Sequence, residues 1–451
     1  MLSDRNRILV ESIRRLLRRG ATSHLKKIVN KTHAADLSVV FRSLSFPSQR
    51  RLFDMIDDVE QRGILFSEMD EDALMNLMDD MELEMIVHIL ENMPTDDVAD
   101  ILGRLPEPKS DTILEMMKKE GSEEVEGLLS YDDDTAGGIM VPDFIALRED
   151  TPARLAVESL QKEHVDVEMP FYLYAVDEYG KLAGVCSLRQ LVVVPPETPL
   201  KEFMTSDIFS VRTDTDQEEV AKIVARYDIL AVPVVDDANK LVGIVTVDDV
   251  IDIIREEATE DILKMAGVVG EEFIESKSVF KSTKIRLPWL FASCVGGIVA
   301  SFIIGIFQGS LTQITYLAAF IPVIMGMGGN IGIQSSTIVV RGLATGRLNV
   351  RDIWGVVGKE LLIGLFLGIV YGLLIGVVAQ ARYSGPMLAL SVCLAVICSM
   401  SVAALAGSMV PMIFARLNID PAVATGPFVT TSIDIISVFF YFEIATILLN
   451  T

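Results

Sequence analysis

The sequence predicts a multidomain membrane protein, with an all-α acidic N-domain, a tandem α/β repeat, a connecting helix and a five-helix α transmembrane domain. Three observations carry this prediction. The 451 residues leave room for several domains, and half of them are apolar although 23% are charged. The charge is unevenly spread. From Arg286 onward seven Lys/Arg stand against five Asp/Glu, a balance of +2, so the chain's net −24 places −26 on residues 1–285. Finally, the C-terminal part holds five apolar runs, each long enough for the about 20 residues that cross a bilayer as a helix.

The N-domain, residues 1–130, opens on MLSDRNRILVESIRRLLRRG, a basic amphipathic segment with no apolar stretch long enough for a signal peptide. It reads as an exposed helix, with an acidic surface or lipid as the contact it would favour. Apolar residues at helical spacing in DDVADILGRL and DTILEMMKK predict short helices joined by turns. The acidic field repels nucleic acid and draws in cations. Cys186, Cys294, Cys393 and Cys398 form no CxxC pair, so neither a disulfide framework nor a zinc site is indicated. His24, His33, His88 and His164 make no HExxH, and GVVGKE at 355–360 is not a P-loop, so no enzyme motif is present.

Residues 131–253 contain an internal repeat. The run Ala175-Val176-Asp177-Glu178-Tyr179-Gly180-Lys181-Leu182-Ala183-Gly184-Val185 returns as Val234-Val235-Asp236-Asp237-Ala238-Asn239-Lys240-Leu241-Val242-Gly243-Ile244. Each copy reads strand, turn, strand, helix, and the proline-rich stretch from Val192 to Pro199 separates them. The connecting segment, 254–284, places Glu256 beside Glu260 and Glu257 beside Asp261 on one helix. Like charges at that spacing are mildly unfavourable alone. A divalent cation bridging them to a second acidic surface would reverse the sign. Candidate surfaces are Asp96, Asp97 and Asp100 in the N-domain, and Asp228, Asp248, Asp249 and Asp252 in the second repeat. Charge runs of this kind are also commonly just solvated.

The transmembrane domain, 285–451, is predicted to span at 287–308, 316–340, 353–379, 387–415 and 421–448. Lys277, Lys281, Lys284, Arg286, Arg341, Arg347, Arg351, Lys359 and Arg416 fall on one side, and only Arg382 on the other. The positive-inside rule then puts the N-terminal domains in the cytosol and the C-terminus outside. Gly364, Gly368, Gly372 and Gly376 share one helix face, a packing signal. Asp434 sits inside the fifth run. A carboxylate there costs roughly 2.5–3.5 kcal/mol on insertion scales and persists where it faces water, an ion or a partner charge. No Lys or Arg stands at comparable depth, which favours an ion pathway over a salt bridge. Thr430, Thr431 and Ser432, with carbonyls loosened by Gly426-Pro427, would add hard oxygen ligands suited to Mg²⁺, Ca²⁺ or Mn²⁺. Glycines with Asn330 and Gln334 in the second run would line a cavity or bond a neighbouring helix.

The repeat with VTVDDV resembles a tandem pair of CBS domains. With DDVADILGRLP, GGNIGIQSSTIVVRG and GPFVTTSIDIISVFFYF, the whole order of parts resembles the MgtE family of bacterial Mg²⁺ channels. The resemblance implies a multi-pass protein of the cell (inner) membrane that takes up Mg²⁺ down its gradient. It implies a homodimer with the pore at the subunit interface, Asp434 of each chain binding hydrated Mg²⁺, and the acidic connecting helix acting as a plug. Cytosolic Mg²⁺ bridging the N-domain, CBS pair and plug would close it. Some members bind ATP in the CBS pair. In CBS domains a Ser/Thr followed three residues later by Asp holds a ribose, which points to Thr246 and Asp249, with Arg189 as a further nucleotide contact. The first copy has Ser187 and Gln190 instead. The family usually has Gly where Ser437 stands, and polar residues where Ile433 and Ile333 stand. The alternatives are another divalent ion as cargo, or a membrane-anchored nucleotide sensor that does not conduct.

Overall fold

The structure, a computed structural model, describes residues 4–69, 71–163, 171–268, 279–313, 315–423 and 425–449. His164 and Lys277 lie outside the described residues. Two compact units form, residues 1–254 and 255–451.

The first unit begins with ten helices among the described residues, from α1 (Asp4–Arg19) to α10 (Lys119–Leu128). They are short because turn and cap residues recur every ten or so positions. His33 accepts from the Ala35 N–H at 3.3 Å at the start of one, and Asp58 from the Glu60 N–H at 3.2 Å at the start of another. The expected N-terminal helix keeps Arg7, Arg14, Arg15, Arg18 and Arg19 exposed, and its apolar face is packed. Val10 and Ile13 are buried in the core, while Ile8 stays exposed.

The repeat then gives two sheets of the same build. In the first, β1 (Ala146–Arg148) pairs parallel with β2 (Tyr172–Val176), which pairs antiparallel with β3 (Leu182–Ser187). In the second, β4 (Val211–Arg212), β5 (Ala231–Val235) and β6 (Leu241–Thr246) do the same. The register slips at Ala175/Val176 in one and at Val234/Val235 in the other, the same place in each copy. The hairpin turns also match. Asp177 Oδ1 accepts from the Tyr179 and Lys181 N–H groups, and Asp236 Oδ1 from those of Ala238 and Lys240. Gly180 and Asn239 take the positive φ that such turns need. The two turns meet. Leu182 N–H donates to Asn239 O at 3.2 Å, and Leu241 N–H to Gly180 O at 3.4 Å. A sequence repeat has become a two-fold-like pair. One buried core runs from Val10 through Leu90 and Leu128 into Val232, Val245 and Val250, so the helical domain and the second copy share apolar contact.

Helix α14 (Val247–Met265) leaves the second copy and crosses the boundary between the units. The second unit contains five helices long and apolar enough to span a membrane. They are α15 (Val279–Ile306), α17 (Ile321–Ala344), α18 (Ile353–Tyr383), α19 (Pro386–Arg416) and α20 (Gly426–Leu449), with the short α16 (Gln308–Gln313) after the first. The five predicted runs are these helices. The glycine stripe packs as its spacing predicts. A Cβ at Gly368 would stand 2.9 Å from Ile397 Cα, and one at Gly372 2.8 Å from Cys393 O, so α18 lies backbone to backbone on α19. Val392, Val396, Met400, Ile433, Tyr441 and Phe442 fill the core between α19 and α20. The Tyr441 hydroxyl donates to Leu317 O at 2.9 Å.

Candidate metal-cation sites

Asp434 is carried on α20, the fifth spanning helix, and is half-buried. Its neighbour on α17 is Gly329. The point where a Gly329 Cβ would stand is 3.8 Å from Asp434 Oδ1, so a carboxylate meets bare backbone there. One residue earlier, Gly328 meets the hydroxyls of Ser399 and Ser437, which bond each other at 2.7 Å. Ile433 and Ser437 are buried, and Ile433 presses its side chain onto Gly328 and Gly332. Asn330, Ile333, Gln334 and Thr337 form the exposed face of α17.

The hydroxyls next to Asp434 also make bonds within the protein. Thr430 donates to Gly426 O at 3.0 Å and Ser432 to Phe428 O at 2.8 Å, each closing on its own helix. Thr431 packs against Gly296 of α15. The Gly426 carbonyl accepts one of these bonds.

A second intramembrane carboxylate escapes a reading of end charges. Glu360 of α18 is 5% exposed and accepts from Ser335 Oγ of α17 at 2.8 Å. It follows Lys359 and looks like a loop charge. Yet it falls four residues before Gly364, on the same stripe as the four glycines, and that spacing is the signal that finds it.

In the first unit the structure draws Asp97 of α8 (Thr95–Gly103) together electrostatically with Asp100, Asp249 and Glu68. Partial burial, then the neighbouring carboxylates, push Asp97 up to about 6. Burial also raises Asp249 to about 6, against the hydrogen bond from Thr246, with Asp248 and Asp100 adding to the rise. Asp100 keeps an open face to solvent, but the protein around it and Asp133 still raise it. Four of the predicted acidic residues thus crowd one another, Asp97, Asp100, Asp248 and Asp249. Asp228, in the left-handed cap after α13 (Gln217–Tyr227), and Asp252 are exposed. Among the described residues no three His, Cys, Asp or Glu side chains are placed to hold one metal ion. The crowding is a field that favours cations rather than a finished coordination shell.

On the connecting helix, Glu256 is exposed, and Glu257, Glu260 and Asp261 are half-buried. Glu260 already has a cation. Lys264 binds it at 2.7 Å and Asp420, in the loop before α20, also at 2.7 Å. Burial disfavours the Lys264 charge, but the bonds to Asp420 and Glu260 outweigh this and hold its pKa above the ordinary value. The helix end lies close here, since a Cβ at Gly426 would stand 2.7 Å from Met265 O. Neither Lys264 nor Asp420 is evident from local sequence, because the contact joins residues far apart in the chain.

The candidate nucleotide residues divide. Thr246 is buried, and its hydroxyl donates to Asp249 Oδ2. Arg189 is exposed on α12 (Leu188–Val193). Ser187 and Gln190 form a reciprocal capping box at the start of that helix, with Ser187 N–H donating to Gln190 Oε1 at 2.8 Å and Gln190 N–H to Ser187 Oγ at 3.3 Å. The first copy's variation from the second is thus a helix cap.

Residues 321–444 match the family model of MgtE-type divalent cation transporters, 32–134 that of the MgtE intracellular N domain, and 136–197 and 200–256 that of CBS domains. The magnesium transporter MgtE of Thermus thermophilus is 40% identical over 329 residues, 72% of this chain and 73% of that protein. The chain belongs to the MgtE family. The magnesium transporter MgtE of Enterococcus faecalis is 38% identical over 72% of each chain. Among solved structures, the ATP complex of the cytosolic domain of the Mg²⁺ channel MgtE superposes with TM-score 0.52 at 33% identity. It covers 54% of this chain and 99% of its own. The soluble part of a magnesium transporter gives TM-score 0.50 at 29% identity, over 56% and 99%. MgtE proteins are transporters, and the reading as a transport protein rather than an enzyme rests on this membership.

Proposed function

We propose that this protein carries Mg²⁺ across the cell membrane through a route built around Asp434, and that cytosolic Mg²⁺ closes it. The observation that carries the reading is the placement of Asp434 on a spanning helix, its carboxylate beside the bare backbone of Gly329. A carboxylate held there with no ion pair among the described residues suits a passing cation. Mg²⁺ sheds water reluctantly, so a carboxylate beside open backbone fits a hydrated octahedron better than a dry cage. Orientation follows the basic loops, with the N-terminal domains cytosolic and the C-terminus outside.

The exposed face of α17 carries Asn330, Gln334 and Thr337 beside Ile333 and Ile338, and its polar side chains support a homodimer in which they line a shared water-filled path, because lipid would leave them unsatisfied. Asp96, Asp97, Asp100, Asp228, Asp248, Asp249, Asp252, Glu256, Glu257, Glu260 and Asp261 are the sensor candidates. A state in which Mg²⁺ bridges them is favoured as Mg²⁺ rises, provided that state binds it more tightly. An adenosine nucleotide at the CBS pair, contacted by Thr246, Asp249 and Arg189, would add a second input. The solved ATP complex of the related cytosolic domain supports this part of the reading.

Purified protein in liposomes tests the proposal by competition. Mg²⁺ influx inhibited by excess Mg²⁺ on the sensor side, and only weakly by equal Mn²⁺, Co²⁺ or Ca²⁺ on the entry side, is expected. Nucleotide binding by folded protein with no flux of any of these ions would contradict it and favour a non-conducting sensor.

A further inference from the structure

We propose that the Ser399–Ser437 hydroxyl pair is a positioning element that sets where the Asp434 carboxylate stands, and through it the discrimination among divalent cations. The inference rests on the proposed route through Asp434.

Three helices converge at this point. Ser399 comes from α19, Ser437 from α20, and Gly328 from α17. The two hydroxyls bond each other at 2.7 Å, and both serines are 1% exposed. A Cβ at Gly328 would stand 2.6 Å from one hydroxyl and 2.7 Å from the other, so the helices touch with no slack. Ser399 Oγ also lies 3.5 Å from Ile324 O on α17. The pair therefore ties α20 to α19 and sits directly on α17.

Ser437 follows Asp434 by three residues, so the two share one side of α20, one turn apart. Gly328 and Gly329 are adjacent on α17. One turn of α20 is bonded at Gly328, and the next presents its carboxylate to Gly329. Ile433 fixes the other flank against Gly332. This flank is apolar and sets distance but no direction. The hydroxyl bond is directional and sets rotation. A small rotation of α20 moves Asp434 Oδ1 along the Gly329 backbone. Binding sites need their groups held to within roughly half an ångström, and the rigid octahedral water shell of Mg²⁺ adapts to a displaced carboxylate less well than the looser shell of Ca²⁺ does. Losing the bond should therefore weaken preference for Mg²⁺ before it abolishes transport.

The test compares wild type with Ser437→Ala, Ser399→Ala, the double variant and Asp434→Asn in liposomes. Apparent KM for Mg²⁺, maximal rate and the Mg²⁺-to-Ca²⁺ rate ratio are measured at one protein density. Each single serine variant is expected to raise KM at least threefold and lower the rate ratio at least threefold, with maximal rate changed less than twofold. The double variant should match the worse single, because the two hydroxyls act as one unit. If Ser437→Ala fails to fold, Ser399→Ala removes the same bond and leaves the fifth span intact. Folded variants with KM and ion ratio within twofold of wild type would overturn the inference, as would independent, multiplying effects of the two serines. Asp434→Asn separates the two readings. Flux unaffected by it refutes the proposed route itself, whereas flux lost by it with silent serine variants refutes only the positioning role.

Discussion

Glu360 shows how one side chain can be worth more than its place in the sequence suggests. It is buried on α18 and accepts from Ser335 of α17. Removing the acceptor strands a buried hydroxyl, which costs about 1–3 kcal/mol. Glu360→Ala should lower the thermal midpoint of the full protein in detergent by several degrees, whereas Glu360→Gln, which keeps a carbonyl acceptor, should lower it less. Equal losses would show that the bond to Ser335 does not hold these helices. Asp97 and Asp249 give a pH prediction. Their folded values of about 6 lie above the unfolded value of about 3.9. Between those limits the folded state holds more protons, so stability falls as pH rises from about 4 to about 6 and levels beyond. In chelator, the N-domain and CBS pair should unfold more easily at pH 7 than at pH 5, by hydrogen exchange on the full chain. Asp97→Asn should flatten that slope and stabilise the unit at pH 7. A slope of opposite sign would remove the crowded carboxylates as its cause.

Among the elements, the spanning helices were legible because each apolar run matches the thickness of a bilayer core and needs no tertiary information. The CBS repeat was legible for a similar reason. Its turns are written locally, in Asp177 to Gly180 and Asp236 to Asn239, and the structure closes both on the same hydrogen bonds. What local pattern could not give was partner choice. Thr430 and Ser432 offer oxygen atoms that suit a cation, and each also donates its proton to the carbonyl one turn back. The amphipathic pattern of the N-terminal helix predicts its exposed arginines but not that Val10 and Ile13 anchor its other face in the core. Lys264 and Asp420 meet across most of the second unit's sequence. The stripe on α18 predicts a clear outcome at this scale. Gly368→Val would drive a side chain into Ile397 backbone, where overpacking costs about 1–3 kcal/mol. Gly358→Ala, with open space around it, should be silent in the same thermal assay. Likewise, Lys264→Ala leaves Glu260 and Asp420 without their shared ammonium, so amides of 255–265 should exchange faster. Unchanged exchange would mean the helix end is held by packing alone.

Across the whole molecule, the distribution of charge and polarity divides the work. The −26 on residues 1–285 makes the first two-thirds of the chain a collector of cations, and the remainder is nearly neutral apart from Asp434, Glu360 and the basic loops. The acidic side chains of the sensor crowd one another without forming a metal shell among the described residues. In the proposed gating, that arrangement is unfavourable until a cation arrives. Glu257→Ala with Asp261→Ala should raise the sensor-side Mg²⁺ needed for half-closure severalfold, while leaving flux at low Mg²⁺ unchanged. The central claim is the route through Asp434, and Mg²⁺ flux into liposomes by wild type and Asp434→Asn, at low and high sensor-side Mg²⁺, tests it most directly. The account predicts wild-type flux that falls at high Mg²⁺ and a loss of at least a hundredfold in Asp434→Asn at low Mg²⁺. Flux in a folded Asp434→Asn equal to that of wild type would contradict it.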